Sequence, residues 1–376
     1  MGAYLSAPIV AKDTCSGHIP NRFTYGVSSH QGWRRTQEDS HVCQPLNDNE
    51  HYLFGVFDGH GGSEVAKFCA EYMPKELEQH EYFQDGKLVE ALIAVFHRMD
   101  ELMQSEQGRK YLESVRPKND EDGAQEEALA ILRKYMSIQD PPPNSNGNSN
   151  GDNGGNGNGA ANKERSSQAA PSSTEEETQA GCTAVVALFA KNLIYVANAG
   201  DSRAVLSRNK KAIAISQDHK PSHVSERERI VAAGGFVCEM PGGISRVNGN
   251  LSLSRAIGDL RYKQNPDLDP AAQIITAEPD VHTVQLTGEE DFLVLACDGI
   301  WDVKDNQQVV DFVHERLKQG KDPTQVASEL LDNCLAQDPK DSKGIGCDNM
   351  TCCIVLFTGN SSGSGRGDAK KKSQEQ

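Results

Sequence analysis

The chain has 376 residues, 37% of them apolar, and a formal net charge of −16. That length accommodates one large domain or two ordinary ones with a real core. The acidity, with no strong basic run, excludes the usual signature of direct nucleic-acid binding and reads first as solubility.

The start, MGAYLSAPIVAK, lacks a charged segment followed by a long apolar run, so no secretory leader is expected. Through Gly2 and Ser6 it matches the N-myristoylation pattern. A single acyl chain would hold a membrane only weakly and reversibly. No apolar stretch is long enough to span a bilayer. The expected location is cytoplasmic or nuclear, with peripheral membrane association if Gly2 is acylated. Ten cysteines include no CxxC pair, and those in LVLACDG and MTCCIVLF read as small buried hydrophobes in a reducing compartment.

In chain order, the first strand-like run is HYLFGVF (51–57). Helical spacing follows in SEVAKFCAEYMPKEL (63–77), KLVEALIAVFHRMDELM (87–103) and EEALAILRKYM (126–136). His97 and Met99, inside the second of these, read as packing or surface residues. Residues 139–179, built around PPPNSNGNSNGDNGGNGNG, cannot bury enough apolar surface to fold and are expected to be a disordered insert. CTAVVALFA (182–190) and NLIYVANAG (192–200) then form a hairpin about Lys191-Asn192, and RAVLS (203–207) follows a further turn at Gly200-Asp201. SERERIVAAGG (225–235) predicts a helix with a glycine C-cap. DFLVLAC (291–297), two helices in NQQVVDFVHERLKQG (306–320) and PTQVASELLDNCLAQD (323–338), and a strand in MTCCIVLF (350–357) complete the ordered part. The Gly/Ser/Lys-rich stretch 359–376 is expected to be a disordered tail. Successive hairpins imply an α+β fold of antiparallel sheets with helices packed outside.

Acids recur where strands meet turns. GWRRTQED offers Arg34, Glu38 and Asp39; FGVFDGHGG offers Asp58 and His60; ANAGDSR offers Asp201; LVLACDGIWD offers Asp298 and Asp302; GCDNM offers Asp348. Any one is ordinary turn chemistry. Together, at one sheet edge, they would repel and raise one another's pKa values, and hard cations are the remedy. Oxygen ligands suit Mg²⁺ or Mn²⁺. So many carboxylates can hold two ions, roughly 3.5–4 Å apart, the arrangement that clamps both oxygens of a phosphoryl transfer. The Arg34 fork could then take phosphate oxygens, and His60 could protonate a leaving alkoxide. No cysteine is followed by five residues and then an arginine, and no Walker loop, HExxH or GxSxG occurs.

With those residues assembled, the chain resembles the metal-dependent serine/threonine protein phosphatases of type 2C, the PPM family. The matching segments are QGWRRTQEDS, FGVFDGHGG, CTAVVAL, ANAGDSRAV, DHKP, RVNGNLSLSRAIGD, ACDGIWD and GCDNMT, in family order from about Phe23 to Phe357. Within the family, MGAYLSAP and an insert ahead of TAVVAL resemble the gamma form, although this insert is Asn/Gly-rich where the gamma form's is long and acidic. The resemblance implies a four-layer fold, a central antiparallel β-sandwich flanked by helices. It implies an N-terminal arm over 1–22 and a catalytic domain over 23–358, interrupted by the insert. Asp58 would bridge two ions; Glu38 and the Gly59 carbonyl would complete one shell, and Asp298 and Asp348 would hold the other ion. Asp39 would orient water behind the first ligands. Asp201 and Asp302, with Asp298, match a weaker third site. Arg34 would bind substrate phosphate, Arg246 would lie at a flap edge, and His60 matches the general acid. The implied reaction is in-line attack on phosphoserine or phosphothreonine by a hydroxide bridging the ions, without a phosphoenzyme. The expected partners are phosphoprotein substrates, and the expected state is a monomer. The competing readings are a binding module, which would have lost acids from this set, and a hydrolase of small phosphoesters.

Overall fold

The computed structural model describes residues 4–47, 50–116, 179–240 and 242–358. Gly2, the helix expected at 126–136, residues 139–178 of the insert and the tail 359–376 lie outside the described residues. β1 (Asp13–Ile19), β2 (Phe23–His30), β3 (Ser40–Pro45), β4 (His51–Phe57) and the short β5 (Gly59–His60) precede helices Glu64–Gln79, Leu88–Met103 and Glu106–Val115. After them come β6 (Gly181–Cys182), β7 (Ala184–Ala190), β8 (Leu193–Ala199), β9 (Arg203–Arg208) and β10 (Lys211–Ala214). The helix Val224–Ala232 leads to β11 (Val237–Glu239), β12 (Ser245–Val247), β13 (Ile257–Gly258), β14 (Asp280–Gln285) and β15 (Glu290–Ala296). Helices Asn306–Lys318 and Pro323–Cys334 precede β16 (Met350–Phe357).

Six strands form one sheet in the order β1-β2-β16-β15-β9-β10, and five form the other, β14-β8-β7-β4-β3. Every pairing within them is antiparallel. Side chains alternate across a strand, and here both faces are covered. In β7, Val185, Ala187 and Phe189 join the core between the sheets, while Ala184, Val186 and Leu188 join a core with helices Glu64–Gln79 and Leu88–Met103. In β15, Leu293 and Leu295 face the first core, and Phe292, Val294 and Ala296 pack with helices Asn306–Lys318 and Pro323–Cys334. These strands therefore read as unbroken apolar runs. The layers are helix, sheet, sheet, helix, as expected. Phe23 meets Tyr52 and Phe54 edge to face in the middle, at centroid distances of 5.1 and 5.6 Å. Asp305 and Asp322 each close a capping box with the glutamine three residues on, which sets where the two outer helices begin.

The Lys191-Asn192 hairpin is present, with Lys191 at φ +53°. The turn at Gly200-Asp201 is not a hairpin. β8 lies in the five-stranded sheet and β9 in the six-stranded one, so this turn carries the chain from one layer to the other. β1, within the stretch read as an arm, is an edge strand paired along its length with β2.

Residues 224–240 and 242–253 belong to a flap whose small core contains Ile230, Val247 and Leu253. Its anchor is Glu226, only 2% exposed. The carboxylate accepts from Arg229 Nη1 at 2.6 Å, Arg255 Nη2 at 2.7 Å and Ser254 Oγ at 2.7 Å. Burial alone would raise its pKa, but the two guanidiniums and the hydroxyl lower it from 4.5 to about 2. A depressed carboxylate stabilises the fold above the unfolded pKa, and that contribution is lost as pH falls from 4.5 toward 2. Glu226→Gln is expected to destabilise by roughly 3 kcal/mol at pH 7. Denaturant titrations at pH 7 and at the lowest pH where the fold persists should show the gap between the two proteins narrowing in acid.

Candidate metal centre

Antiparallel pairing gathers the acids at one edge. The start of β3 pairs with the end of β4, Ser40 opposite Phe57, which puts Glu38 and Asp39 beside Asp58. The end of β15 pairs with the start of β16, Ala296 opposite Cys352, which puts Asp298 beside Asp348. Ala296 also pairs with Arg203 of β9, next to Asp201. Two sheets thus contribute carboxylates to one cavity of about 300 Å³, lined by Arg34, Glu38, Asp58, Gly59, His60, Asp201, Asp298 and Asp348 together with Thr183 and Leu251–Leu253.

Local contacts hold these groups in place. The Thr183 amide donates to the Asp58 carbonyl at 2.9 Å. The Asn349 side chain accepts from the Glu38 amide at 2.9 Å and donates to the carbonyls of Gln31 and Thr36 at 2.8 and 2.9 Å. Thr36 Oγ1 donates to Glu38 Oε1 at 2.9 Å. Gly59 must lack a side chain, since a Cβ there would sit 2.4 Å from the Glu38 carbonyl oxygen.

The electrostatics are those of an uncompensated acidic cluster. Burial pushes the Asp58 carboxyl well above its ordinary range, and the charges of Asp298, Asp39, Asp348 and Asp201 add to it. Asp298 is raised in the same way, by burial and then by Asp201, Asp348 and Asp302, with Lys220 opposing. Cationic groups in contact with the cluster are Arg34, whose Nη2 donates to Asp348 Oδ2 at 2.5 Å, and Lys220, whose ammonium donates to Asp201 Oδ2 at 2.5 Å. Carboxylates this crowded stay ionised together only when more positive charge joins them. The donors are hard oxygens, so the residues present fit a divalent cation of the Mg²⁺ class.

Asp39 stands behind the cavity. Its ligand oxygen, that of Asp58 and the Cys297 sulfur lie within 4.8 Å of one another. Asp39 accepts from Thr351 Oγ1 at 2.6 Å, and burial pushes its carboxyl up to about 7 against that hydrogen bond, the Asp348 charge contributing. Cys297 is a packing thiol engaged with backbone, accepting from the Thr351 amide at 3.2 Å. Asp302 is off the cavity wall, close enough to Asp201 and Asp348 for their charges to add to the effect of burial in raising its pKa. Arg246 is not among the cavity-lining residues; it sits in β12, and its guanidinium donates to the Asn250 carbonyl within the flap. Three groups that spacing did not single out, Thr183, Lys220 and Asn349, brace the acids. Their residue types carry no chemical signal, and only the CTAVVAL, DHKP and GCDNMT segments that contain them pointed toward the site.

The family model described as Protein phosphatase 2C matches residues 23–124 and 143–343. The chain is 42% identical to "Probable protein phosphatase 2C 11" of Oryza sativa subsp. japonica, over 95% of this chain and 91% of the relative. It is 42% identical to "Probable protein phosphatase 2C 60" of Arabidopsis thaliana, over 95% and 92%. In three dimensions it is similar to the serine-threonine phosphatase 2C of Toxoplasma gondii, with a TM-score of 0.60 at 19% identity, over 92% of this chain and all of that one. The sandwich, the acids at its edge and these relatives agree, and the chain belongs to the protein phosphatase 2C family.

Proposed function

We propose that Asp58, Glu38, the Gly59 carbonyl, Asp298 and Asp348 hold two divalent cations, magnesium or manganese, in this metal-dependent protein serine/threonine phosphatase. The observation that carries the reading is the convergence of acids from both sheets on one cavity, with raised pKa values that call for added positive charge. Bound divalent ions supply Lewis acidity that makes water nucleophilic and charge that neutralises phosphoryl oxygens. Asp201, Asp302 and Asp298 would hold a third, weaker ion, and Asp39 would orient water held by the ions.

The chain's own residues do the rest. Arg34, half exposed at the cavity mouth, presents a guanidinium to the phosphoryl oxygens and orients the ester. His60 lines the same cavity and supplies the proton that a departing serine or threonine oxygen needs. The substrates are phosphoproteins. With Mn²⁺ present, phosphoserine and phosphothreonine peptides should be turned over well ahead of sugar phosphates, and the reverse order would overturn the substrate class. His60→Gln should slow a phosphoserine peptide about a hundredfold more than p-nitrophenyl phosphate, whose leaving group departs without a proton. Equal losses on both would remove His60 from that role.

A further inference from the structure

β5, β6 and β13 form a small sheet whose β5 residues line the cavity, with Gly181 opposite both His60 and Gly258. The strand on one edge carries His60. The strand on the other runs directly into Asp259. His60 Nε2 and Asp259 Oδ2 meet over Gly181 at 2.6 Å. We propose that Asp259 is the positioning residue for His60: its carboxylate engages Nε2 and so commits Nδ1 to the phosphoryl cavity. This rests on the reading of His60 as proton donor and names what makes that donor effective.

Three observations distinguish the contact from an incidental ion pair. Asp259 is fully buried, and among the described residues its second oxygen has no hydrogen-bond partner. A carboxylate buried with a single side-chain partner gains little for the fold. Its backbone is left-handed, φ +51° and ψ +35°, a region that glycine adopts freely and that disfavours a residue with a side chain. The space between the partners is kept open by Gly181, where a Cβ would stand 2.5 Å from Asp259 Oδ2 and 2.7 Å from His60 Nε2. A buried, strained, half-satisfied acid does not serve stability. It does serve a ring that must stay in one orientation, as an acid behind a catalytic histidine does elsewhere.

In the step itself a water oxygen forms a new bond to phosphorus and gives up a proton to solvent as the P–O ester bond breaks, and the electron pair of the broken bond stays on the departing serine or threonine oxygen. The proton on Nδ1 passes to that oxygen. Nε2–H remains on Asp259, and solvent restores the proton on Nδ1. Without Asp259 the ring can rotate or exchange tautomers, and the proton is then often on the wrong atom.

The test compares full-length wild type, His60→Gln, Asp259→Gly and Gly181→Ala on a phosphoserine peptide and on p-nitrophenyl phosphate. Glycine suits the left-handed backbone at 259, and alanine at 181 inserts a methyl between the partners. Asp259→Asn stands in if the glycine variant does not fold. Selective loss is expected in all three variants: kcat on the peptide should fall about tenfold or more beyond any fall on the aryl ester. In protein labelled with ¹⁵N-histidine, the His60 Nε2–H signal, assigned by its absence in His60→Gln, should lose its protection from exchange in Asp259→Gly. If His60→Gln is selective while the Asp259 and Gly181 variants lose both substrates equally, or neither, the positioning role is overturned and the donor role stands. If His60→Gln is itself unselective, both fall. An unchanged His60 signal in Asp259→Gly also overturns the proposal.

Discussion

Asp58→Asn should yield a protein that is more stable without metal than the wild type and turns over almost no phosphopeptide. The two effects have one cause. Asp58 is partly buried beside four other aspartates that each raise its pKa. An acid raised in the folded state favours folding only while it is protonated, and that advantage is lost as pH climbs above the unfolded value of 3.8. At neutral pH its charge works against the metal-free fold, and asparagine of the same shape removes it. The thermal midpoint of the chelated variant should exceed that of chelated wild type by a few degrees, on the order of 1 kcal/mol, with a gap that widens from pH 5 to pH 8. Losing the central ligand removes several kcal/mol of transition-state stabilisation, so turnover should fall at least about a thousandfold. Turnover near the wild-type rate would show that the acids are assigned wrongly.

The second large effect concerns metal removal. Treatment with a chelator should reduce phosphopeptide hydrolysis to background, and Mg²⁺ or Mn²⁺ should restore it. Full activity in chelator would sink the assignment. Scanning calorimetry gives a readout independent of turnover. Ions at a hundred times their dissociation constant should stabilise the fold by about 2.7 kcal/mol per site. The acids hold protons above their ordinary range, so binding should release protons. Titration calorimetry in buffers of different ionisation heat would reveal this as a buffer-dependent binding enthalpy.

Much of the fold was legible because both sheets are buried on both faces. HYLFGVF and MTCCIVLF coincide with β4 and β16 residue for residue. Less apolar strands were not legible. β1 and β3 are edge strands whose side chains, Val42 apart, are exposed or only partly buried, so they carry no unbroken apolar run. β2 is buried but rich in serine and glycine. The crossover at Gly200-Asp201 was hidden because a tight turn has the same composition whether the next strand pairs with the last or leaves its sheet. The site was more legible than the topology, since each acid could be recognised at a strand end without knowing which sheet the strand joined. Asp259 could not be found that way. Its partner is 199 positions away, and only the fold brings the two together.

That crossover also bears on how the centre is held. Asp58 and Glu38 hang from the five-stranded sheet, Asp298 and Asp348 from the six-stranded one, and Asp201 sits where the chain passes between them. Ions seated among these acids join the two layers as a rivet joins plates. The rings of Phe54 and Phe189, deep between the sheets, fix the gap the rivet must span. Packing far from any ligand atom is in that sense part of the coordination chemistry: a thinner or thicker core would change the fit of an ion without touching a single acid.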